Sequence, residues 1–587
     1  MCGILLIVCP VHWIADIKKI IDQSGIRNFF HRRGPNITGD VKFVIKNYVI
    51  YMESSVLGFQ GDMRSFCKQP CLSRNGCALQ WNGEIFELHP KSVFDFRSNS
   101  SDTEVLCENL SKTTTTEQIT SIISSIIGPW SMTFWHSKLS QLWIGRDTVG
   151  RRTLCWNSNY REKLIIISSI VIDFKSNSII NNQELKFLED CQFEEIPANR
   201  LFCCDFNFSP NTSERDLEND CLDQCTRLYE RIENINWNQP IEISSLPNCS
   251  VPKRFNTDLP EADLDEVLRS SKFIIPNYIV DQFYNVLLKS IDLRANNQPN
   301  LCKSCILTSQ QCSHSSLAIL FSGGIDSTVI AALAHLTFKP DNRPIDLLNV
   351  AFDQDASDRQ TGIESWLELC AIYPTRPFNF VEIDIGPEEL GSLREMHIRC
   401  LMEPKCTVMD YSIGCAVWFA ARGRGLIRNK IDLNSRQPYQ SPARIIFVGM
   451  GADEQLGGYS RYRSHFKKSQ PGDWKSLIDE LQFDIGKISI HNLGRDDRVV
   501  GDHGVEARLP YLDENVINFL NNLPVWLKCN LYLERGRGEK WLLREVAQKL
   551  GLKNSARNLK RAIQFGSKIV RHQNGSVNGY DDAKKLF

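Results

Sequence analysis

The sequence predicts a chain of mixed α+β and α/β class, with an N-terminal domain of antiparallel sheets and a C-terminal domain built on a parallel sheet. Turn-bounded runs rich in β-branched and aromatic residues recur at 3–8, 43–51, 78–86, 131–136, 141–146 and 164–169, the habit of antiparallel strands. Further on, apolar strands at 317–321, 346–352, 378–384 and 444–449 alternate with helical stretches at 328–336, 388–402 and 412–424, which implies a parallel sheet covered by helices. Between them, residues 186–275 are rich in Asn, Ser, Asp, Glu and Pro and sparse in periodic apolar faces, so they read as a linker with short local structure. The expected boundaries are 2–185 and 276–573 for the two domains, with a polar tail over 574–587.

The first strand opens on Cys2-Gly3-Ile4. Removal of the initiator methionine makes Cys2 the N-terminal residue, with a thiol and a free α-amine together, so the amine can act as general base for its own nucleophile. Most cysteines are small buried hydrophobes. Three later segments set this one apart: His31-Arg32-Arg33-Gly34-Pro35-Asn36, then Trp81-Asn82-Gly83-Glu84-Ile85-Phe86, then the cap-like Ser101-Asp102-Thr103-Glu104 that starts a helix. Attack of a thiolate on a carboxamide builds negative charge on oxygen, and donors already aimed at that oxygen stabilise the transition state above the ground state. The charged run Gly145-Arg146-Asp147-Thr148-Val149-Gly150-Arg151-Arg152 reads as a structural corner.

In the second domain the first strand runs into Phe321-Ser322-Gly323-Gly324-Ile325-Asp326-Ser327 and then a helix. That order places backbone N–H groups and a helix N-terminus around an anion. Gly323 and Gly324 permit close approach, Ser322 and Ser327 can donate to phosphate oxygens, and Asp326 can hold magnesium, so the loop suits the polyphosphate of ATP. Together with Cys2 it suggests ammonia release coupled to ATP-driven amide formation.

On these motifs residues 2–185 resemble a class II glutamine amidotransferase domain, and the whole chain resembles the asparagine synthetase family, in its domain-containing branch. The resemblance implies an αββα N-terminal-nucleophile domain followed by a pyrophosphate-loop ATPase domain of the adenine nucleotide hydrolase type. It assigns the oxyanion hole to the Asn82 side chain and the Gly83 N–H, and places Glu84 and Asp102 near the ammonium of glutamine. It makes Gly449-Met450-Gly451-Ala452-Asp453-Glu454 a second pyrophosphate and magnesium segment, with Asp453 the partner of Asp326, and sets Val350 against the adenine. Lys540, in Lys540-Trp541-Leu542-Leu543-Arg544, is implied to stabilise the departing pyrophosphate, and Lys560-Arg561-Ala562-Ile563-Gln564-Phe565-Gly566 to close over the site. Gly504-Val505-Glu506-Ala507-Arg508-Leu509-Pro510-Tyr511-Leu512-Asp513 matches a further family signature. The implied activity takes glutamine, aspartate and magnesium-ATP to asparagine, glutamate, AMP and pyrophosphate.

Two departures bear on that activity. Where the family usually has an arginine for the glutamine carboxylate, this chain reads Val56-Leu57-Gly58-Phe59-Gln60-Gly61, and Gln60 cannot pair bidentately with a carboxylate. Either nearby Arg64 replaces the arginine, or the glutaminase is weakened and ammonia comes from solution. The acceptor segment, Glu403-Pro404-Lys405-Cys406-Thr407-Val408, and the replacements Val448 and Met450 before Asp453 leave aspartate as a family inference. A different carboxylate acceptor, or a catalytically quiet ATP-binding scaffold, are the alternatives.

At 587 residues, 42% hydrophobic and 23% charged, the chain has the make-up of a globular protein too long for one core. Its formal net charge of -1 argues against a broad footprint for nucleic acid or an anionic membrane, so small-molecule substrates are expected. The initial apolar run lacks a basic leader and contains Pro10, His12 and Asp16, so it reads as a strand and not a signal peptide, and no other segment has the length of a membrane span. The 21 cysteines are scattered without a compact framework, which fits a reducing cytoplasm. Among them Cys302, Cys305 and Cys312, with His314, have a spacing that matches no common zinc site, and they read as a small polar loop.

Overall fold

The structure, a computed structural model, describes residues 1–59, 66–92, 94, 101–157, 164–174, 183–206, 236–237, 239–250, 255–299, 301–306, 312–340, 342–404, 407–468 and 472–572. The expected tail lies outside the described residues, as do Gln60 and Arg64. The chain forms two compact units. The first comprises Met1–Cys249 with Cys400–Lys405 and Asn492–Gly504, and the second Ser250–Arg399, Cys406–His491 and Val505–Phe587.

The first unit is built on two antiparallel sheets. One runs, edge to edge, Phe193–Glu195, Cys155–Asn157, Ile165–Ser168, Gly3–Pro10, Tyr48–Val56 and Ile37–Ile45. The other runs Asn236–Trp237, Arg200–Asp205, Gln141–Arg146, Trp130–His136, Ala78–Gly83 and Cys71–Leu72, with Ile241–Glu242 also on Arg200–Asp205. Ile4, Leu6 and Val8 of the first sheet pack with Trp135, Leu142 and Ile144 of the second in one apolar core. The outer face of the second sheet carries Trp81, Phe134 and Trp143 against Leu106, Leu110, Ile119 and Ile123 of the helices Asp102–Ser111 and Thr116–Ser124. Helix Ile26–Arg33 covers the first sheet so closely that a Cβ on Gly3 would come within 2.9 Å of the Phe30 Cβ. The result is an αββα sandwich, and its central strands are apolar on both faces because both are covered.

Two expectations are corrected here. The single strand expected at 43–51 is the middle of a hairpin, Ile37–Ile45 with Tyr48–Val56, which turns at Lys46 with φ of 55°. The stretch expected as a linker with short local structure over 186–275 supplies Phe193–Glu195 and Arg200–Asp205 to the two sheets; the first is only three residues long, and the second is buried on both faces at Leu201–Cys204, so neither shows alternation.

The second unit holds a seven-stranded sheet ordered Arg436–Gln440, Arg424–Arg428, Phe378–Asp384, Ile345–Ala351, Leu317–Leu320, Ile445–Phe447 and Glu506–Arg508. The last five strands are parallel, and Leu317–Leu320 is flanked on both sides by strands that follow it in the chain. The strand order reverses there, and in open α/β sheets that reversal opens a ligand crevice beyond the carboxyl ends of the strands. The loops after Leu320 and Phe447 leave the sheet there, from neighbouring parallel strands.

Candidate active sites

In the first unit Cys2 lies immediately before the strand Gly3–Pro10 and is buried. Its backbone nitrogen donates to Asn82 Oδ1 at 2.9 Å, and Asn82 Nδ2, also buried, has no hydrogen-bond acceptor among the described residues. An unsatisfied buried donor is costly, so its persistence beside the Cys2 thiol is a functional signal. Gly83 ends the neighbouring strand. A Cβ there would fall 2.7 Å from the Pro129 carbonyl oxygen and 2.6 Å from the Trp130 Cβ, so only glycine fits. Burial pushes the Cys2 thiol up, against the positive chain terminus and the backbone N–H of Leu57. A thiolate in this pocket therefore needs a base close by.

A cavity beside Cys2 is lined by Leu57, Gly58, Gln69, Gly83, Glu84 and Asp102, among others. Asp102 opens its helix and accepts from Trp81 Nε1 at 3.1 Å and from the Thr103 backbone at 2.6 Å. Burial raises its carboxyl to about 6 in spite of those donors. The structure thus brings Cys2, Asn82, Gly83, Glu84 and Asp102 together. It adds Gln69, absent from the sequence reading, whose Oε1 accepts from Trp81 N at 2.7 Å while its Nε2 lies 3.9 Å from the Cys2 sulfur. Asn36 Oδ1 accepts from Gly58 N at 2.9 Å and orders the pocket wall. Arg33 reaches the Cys2 carbonyl at 3.4 Å and pairs with Asp497 at 2.7 Å, both side chains fully buried. The 145–152 run is a structural corner: Asp147 accepts the N–H groups of Trp130, Val149, Gly150 and Arg151.

In the second unit Gly323 has φ of 76°, and a Cβ would meet the Thr361 carbonyl at 2.4 Å, so this turn requires glycine. Ser322 Oγ accepts the Gly324 N–H at 3.2 Å and Ser327 Oγ donates to the Gly324 carbonyl at 3.1 Å. Helix Ile325–Thr337 follows with Asp326 in its first turn. Across the crevice Gly449 passes Asp326 so closely that a Cβ would lie 3.1 Å from its Cβ, and Gly451, at φ of 90°, abuts Leu512. Val350 is buried near the carboxyl end of the adjacent strand.

Lys540 joins these parts. Its Nζ lies 2.5 Å from Asp326 Oδ2 and 2.7 Å from Asp453 Oδ1, and Lys560 Nζ lies 2.5 Å from Asp453 Oδ2. Burial works to raise Asp453, but Lys540 and Lys560 hold it at about 2. The two carboxylates converge on one point, the arrangement a divalent cation needs. Lys540 is fully buried with φ of 55° immediately before helix Trp541–Lys549, a costly conformation for a non-glycine residue and one that clusters at functional sites. Gly458, which the motifs did not flag, gives these groups room: a Cβ would lie 2.0 Å from Asp453 Oδ1 and 2.3 Å from Lys540 Cε.

Comparison with known proteins matches part of each unit, covering Asn82, Gly83, Glu84 and Asp102 in the first and Lys540 and Lys560 in the second, but not Cys2, the 322–327 loop or Asp453. The glutamine amidotransferase domain family matches residues 62–173, and the asparagine synthase family matches residues 464–574. Asparagine synthetase domain-containing protein 1 of Mus musculus is 34% identical over 656 residues, covering 100% of this chain and 99% of its own. The chain belongs to the asparagine synthetase domain-containing family. The Homo sapiens member is 34% identical over 673 residues, with 100% of this chain and 98% of its own covered. A putative glutamine-hydrolyzing asparagine synthetase of Methanocaldococcus jannaschii is 24% identical over 337 residues, 54% of this chain and 56% of its own. Members of the family thus join a glutamine amidotransferase region to an asparagine synthase region, the parts of an ATP-using amidotransferase-type ligase. Among the described residues no helix is long and apolar enough to cross a membrane.

Proposed function

We propose that this chain is a cytoplasmic glutamine-hydrolysing asparagine synthetase. The observation that carries the reading is the Cys2–Asn82 pair, a buried nucleophile whose backbone orients a side-chain amide and leaves its Nδ2 donor without a partner. With Met1 removed, the Cys2 α-amine takes the thiol proton, and the sulfur attacks the glutamine carboxamide. Asn82 Nδ2 and the Gly83 N–H receive the developing oxyanion, while Glu84 and ionised Asp102 meet the substrate ammonium. Collapse releases ammonia and leaves a thioester, which water hydrolyses to glutamate and free Cys2.

In the second unit the Ser322–Ser327 loop and the 449–451 turn cradle the ATP phosphates. Asp326 and Asp453 fit magnesium, which when bound neutralises phosphate charge. The aspartate side-chain carboxylate attacks the α-phosphorus and expels pyrophosphate, whose charge Lys540 and Lys560 offset. Ammonia then displaces AMP from the acyl-adenylate to give asparagine. Val448 and Met450, which stand in place of the family's usual residues, favour a second reading in which another carboxylate is the acceptor.

The test is to incubate Met1-processed protein with glutamine, aspartate and magnesium-ATP, and to quantify asparagine, AMP and glutamate by mass spectrometry. Equal asparagine and AMP, lost with Cys2→Ala and restored by ammonium, is the expected result. Glutamate without asparagine points to the other acceptor. No product from a folded, ATP-binding protein rejects both.

A further inference from the structure

The segment that leads into the first strand of the second unit holds a group that the ligase reading does not use. Cys302, Cys305, Cys312 and His314 each direct one ligand atom to a common point, all four atoms lying within 4.8 Å of one another. His314 Nδ1 is 3.7 Å from Cys302 Sγ and 3.5 Å from Cys305 Sγ. A zinc ion with about 2.3 Å bonds to sulfur and about 2.1 Å bonds to nitrogen sets tetrahedral sulfur–nitrogen edges of about 3.6 Å. The two edges to His314 match that value, and the remaining separations, all within 4.8 Å, leave the four atoms close enough to draw in around one ion.

We propose that these four residues bind one structural zinc ion. Three observations separate this from a chance meeting of buried cysteines. The ligands do not share an apolar interior, because Cys302 is buried, Cys305 and Cys312 are partly exposed, and His314 is exposed. Cys312 Sγ accepts from the Cys302 backbone N–H and from Arg343 Nη2, each at 3.4 Å, donors suited to a metal-bound thiolate. Arg343 also donates from Nε to the His314 carbonyl at 2.7 Å, so one buried guanidinium fixes two of the four ligands. Three sulfurs and one imidazole select zinc over the hard cations, which prefer oxygen.

With four protein ligands the site has no open position, which makes it structural and not catalytic. Its place in the fold says what it holds. Cys302-x-x-Cys305 forms a turn closed by Ile306 N donating to the Cys302 carbonyl, and Lys303 N donates to the Pro442 carbonyl. His314 lies three residues before strand Leu317–Leu320, whose far end carries the Ser322–Ser327 loop. Zinc here anchors the amino end of the strand that presents the phosphate loop. On this proposal the spacing hides the site because the 302–305 turn and the 312–314 segment meet only in the folded chain, where Arg343 holds the His314 carbonyl and the Cys312 sulfur.

The test uses full-length protein purified from zinc-replete cells under reducing, chelator-free conditions. Mass-spectrometric metal analysis is expected to give about one zinc per chain, released in step with titration of the thiols by a mercurial. Cys312→Ser and His314→Ala are each expected to lower the zinc content to less than about a tenth of that in the wild-type protein. Should either variant fail to fold, cobalt exchanged into the wild-type protein must show the visible absorption of a tetrahedral thiolate site. Near-zero zinc in the wild-type protein with freely titrating thiols, zinc unchanged in both folded variants, or cobalt without thiolate absorption would each overturn the proposal. So would a Cys302–Cys305 disulfide that persists in reductant.

Discussion

The Cys2 backbone nitrogen and Asn82 Oδ1, 2.9 Å apart, tie the start of the nucleophile strand to the end of the strand Ala78–Gly83 in the facing sheet. This bond decides which end of the Asn82 amide remains a donor. Asn82→Asp keeps an acceptor for Cys2 but puts an oxygen where the donor was. Glutamate release is expected to fall about 10²–10³-fold in kcat, as on losing one oxyanion donor. Ammonium-fed asparagine formation should be unchanged, and steady-state assays with each nitrogen source check the split.

On the proposed function Asp102 should give the glutamine reaction a pH limb. Burial raises its folded value from 3.8 to about 6, so between those values the folded chain holds a proton that the unfolded chain has released. Its contribution to stability is therefore fullest below 3.8 and is lost as pH rises through about 6. Substrate binding runs the opposite way, because only ionised Asp102 attracts the glutamine ammonium. Below about 6, kcat/KM for glutamine should rise up to about tenfold per pH unit, and Asp102→Asn should flatten this limb and raise KM. Profiles of glutamate release for the two proteins test it.

Much of both candidate sites was legible because unusual residues in short runs mark them. Cys2, Asn82-Gly83 and the Ser-Gly-Gly-x-Asp-Ser loop are recognisable without a fold. What was not legible depends on long-range closure. Gln69 reaches Cys2 only because the fold brings Trp81 and Thr103 to its amide, and Gly458 matters only because Asp453 and Lys540 converge from distant segments. The edge hairpin Arg424–Arg428 with Arg436–Gln440 escaped because it is half-exposed, polar and interrupted by Pro438, all permitted at a sheet edge.

Asp497 is the buried counter-ion of Arg33, and its carboxyl also lies 3.4 Å from Arg152 Nη1. Burial works to raise its pKa, but these guanidinium groups outweigh it and keep it ionised. Asp497→Asn leaves buried positive charge without its partner, a change that costs about 3–5 kcal/mol. Because Arg33 also touches the Cys2 carbonyl, a lower Tm should come with loss of glutaminase activity. Denaturant melts and glutamate assays on the same preparation test both.

Gly458 leaves no room for a side chain, since the added methyl of Gly458→Ala would overlap both Asp453 and Lys540. Relief requires moving the carboxylate or the lysine stem, at a cost of about 1–3 kcal/mol, because packed interiors yield little. ATP affinity is expected to fall about tenfold or more, with glutaminase activity kept. Isothermal titration with ATP, beside a glutamate assay, distinguishes this from general unfolding.

On the proposed function Lys540 bears on both cation and nucleotide, and removing it should affect them in opposite directions. Its ammonium lies within 2.7 Å of both carboxylates, so it competes for the oxygens that magnesium would use. Lys540→Met frees Asp326 and leaves Asp453 paired with Lys560 alone, so on the proposed function the magnesium concentration for half-maximal ATP binding should drop. The same change removes the charge that meets departing pyrophosphate, a transition-state interaction, so kcat for ATP–pyrophosphate exchange should fall about 10²–10³-fold. Lys540→Arg keeps the charge but spreads it over a planar fork that cannot occupy the same point between two carboxylates, so it should restore little. Tighter magnesium with slower exchange marks a catalytic cation, whereas weaker ATP binding without a change in kcat would make Lys540 a ground-state anchor.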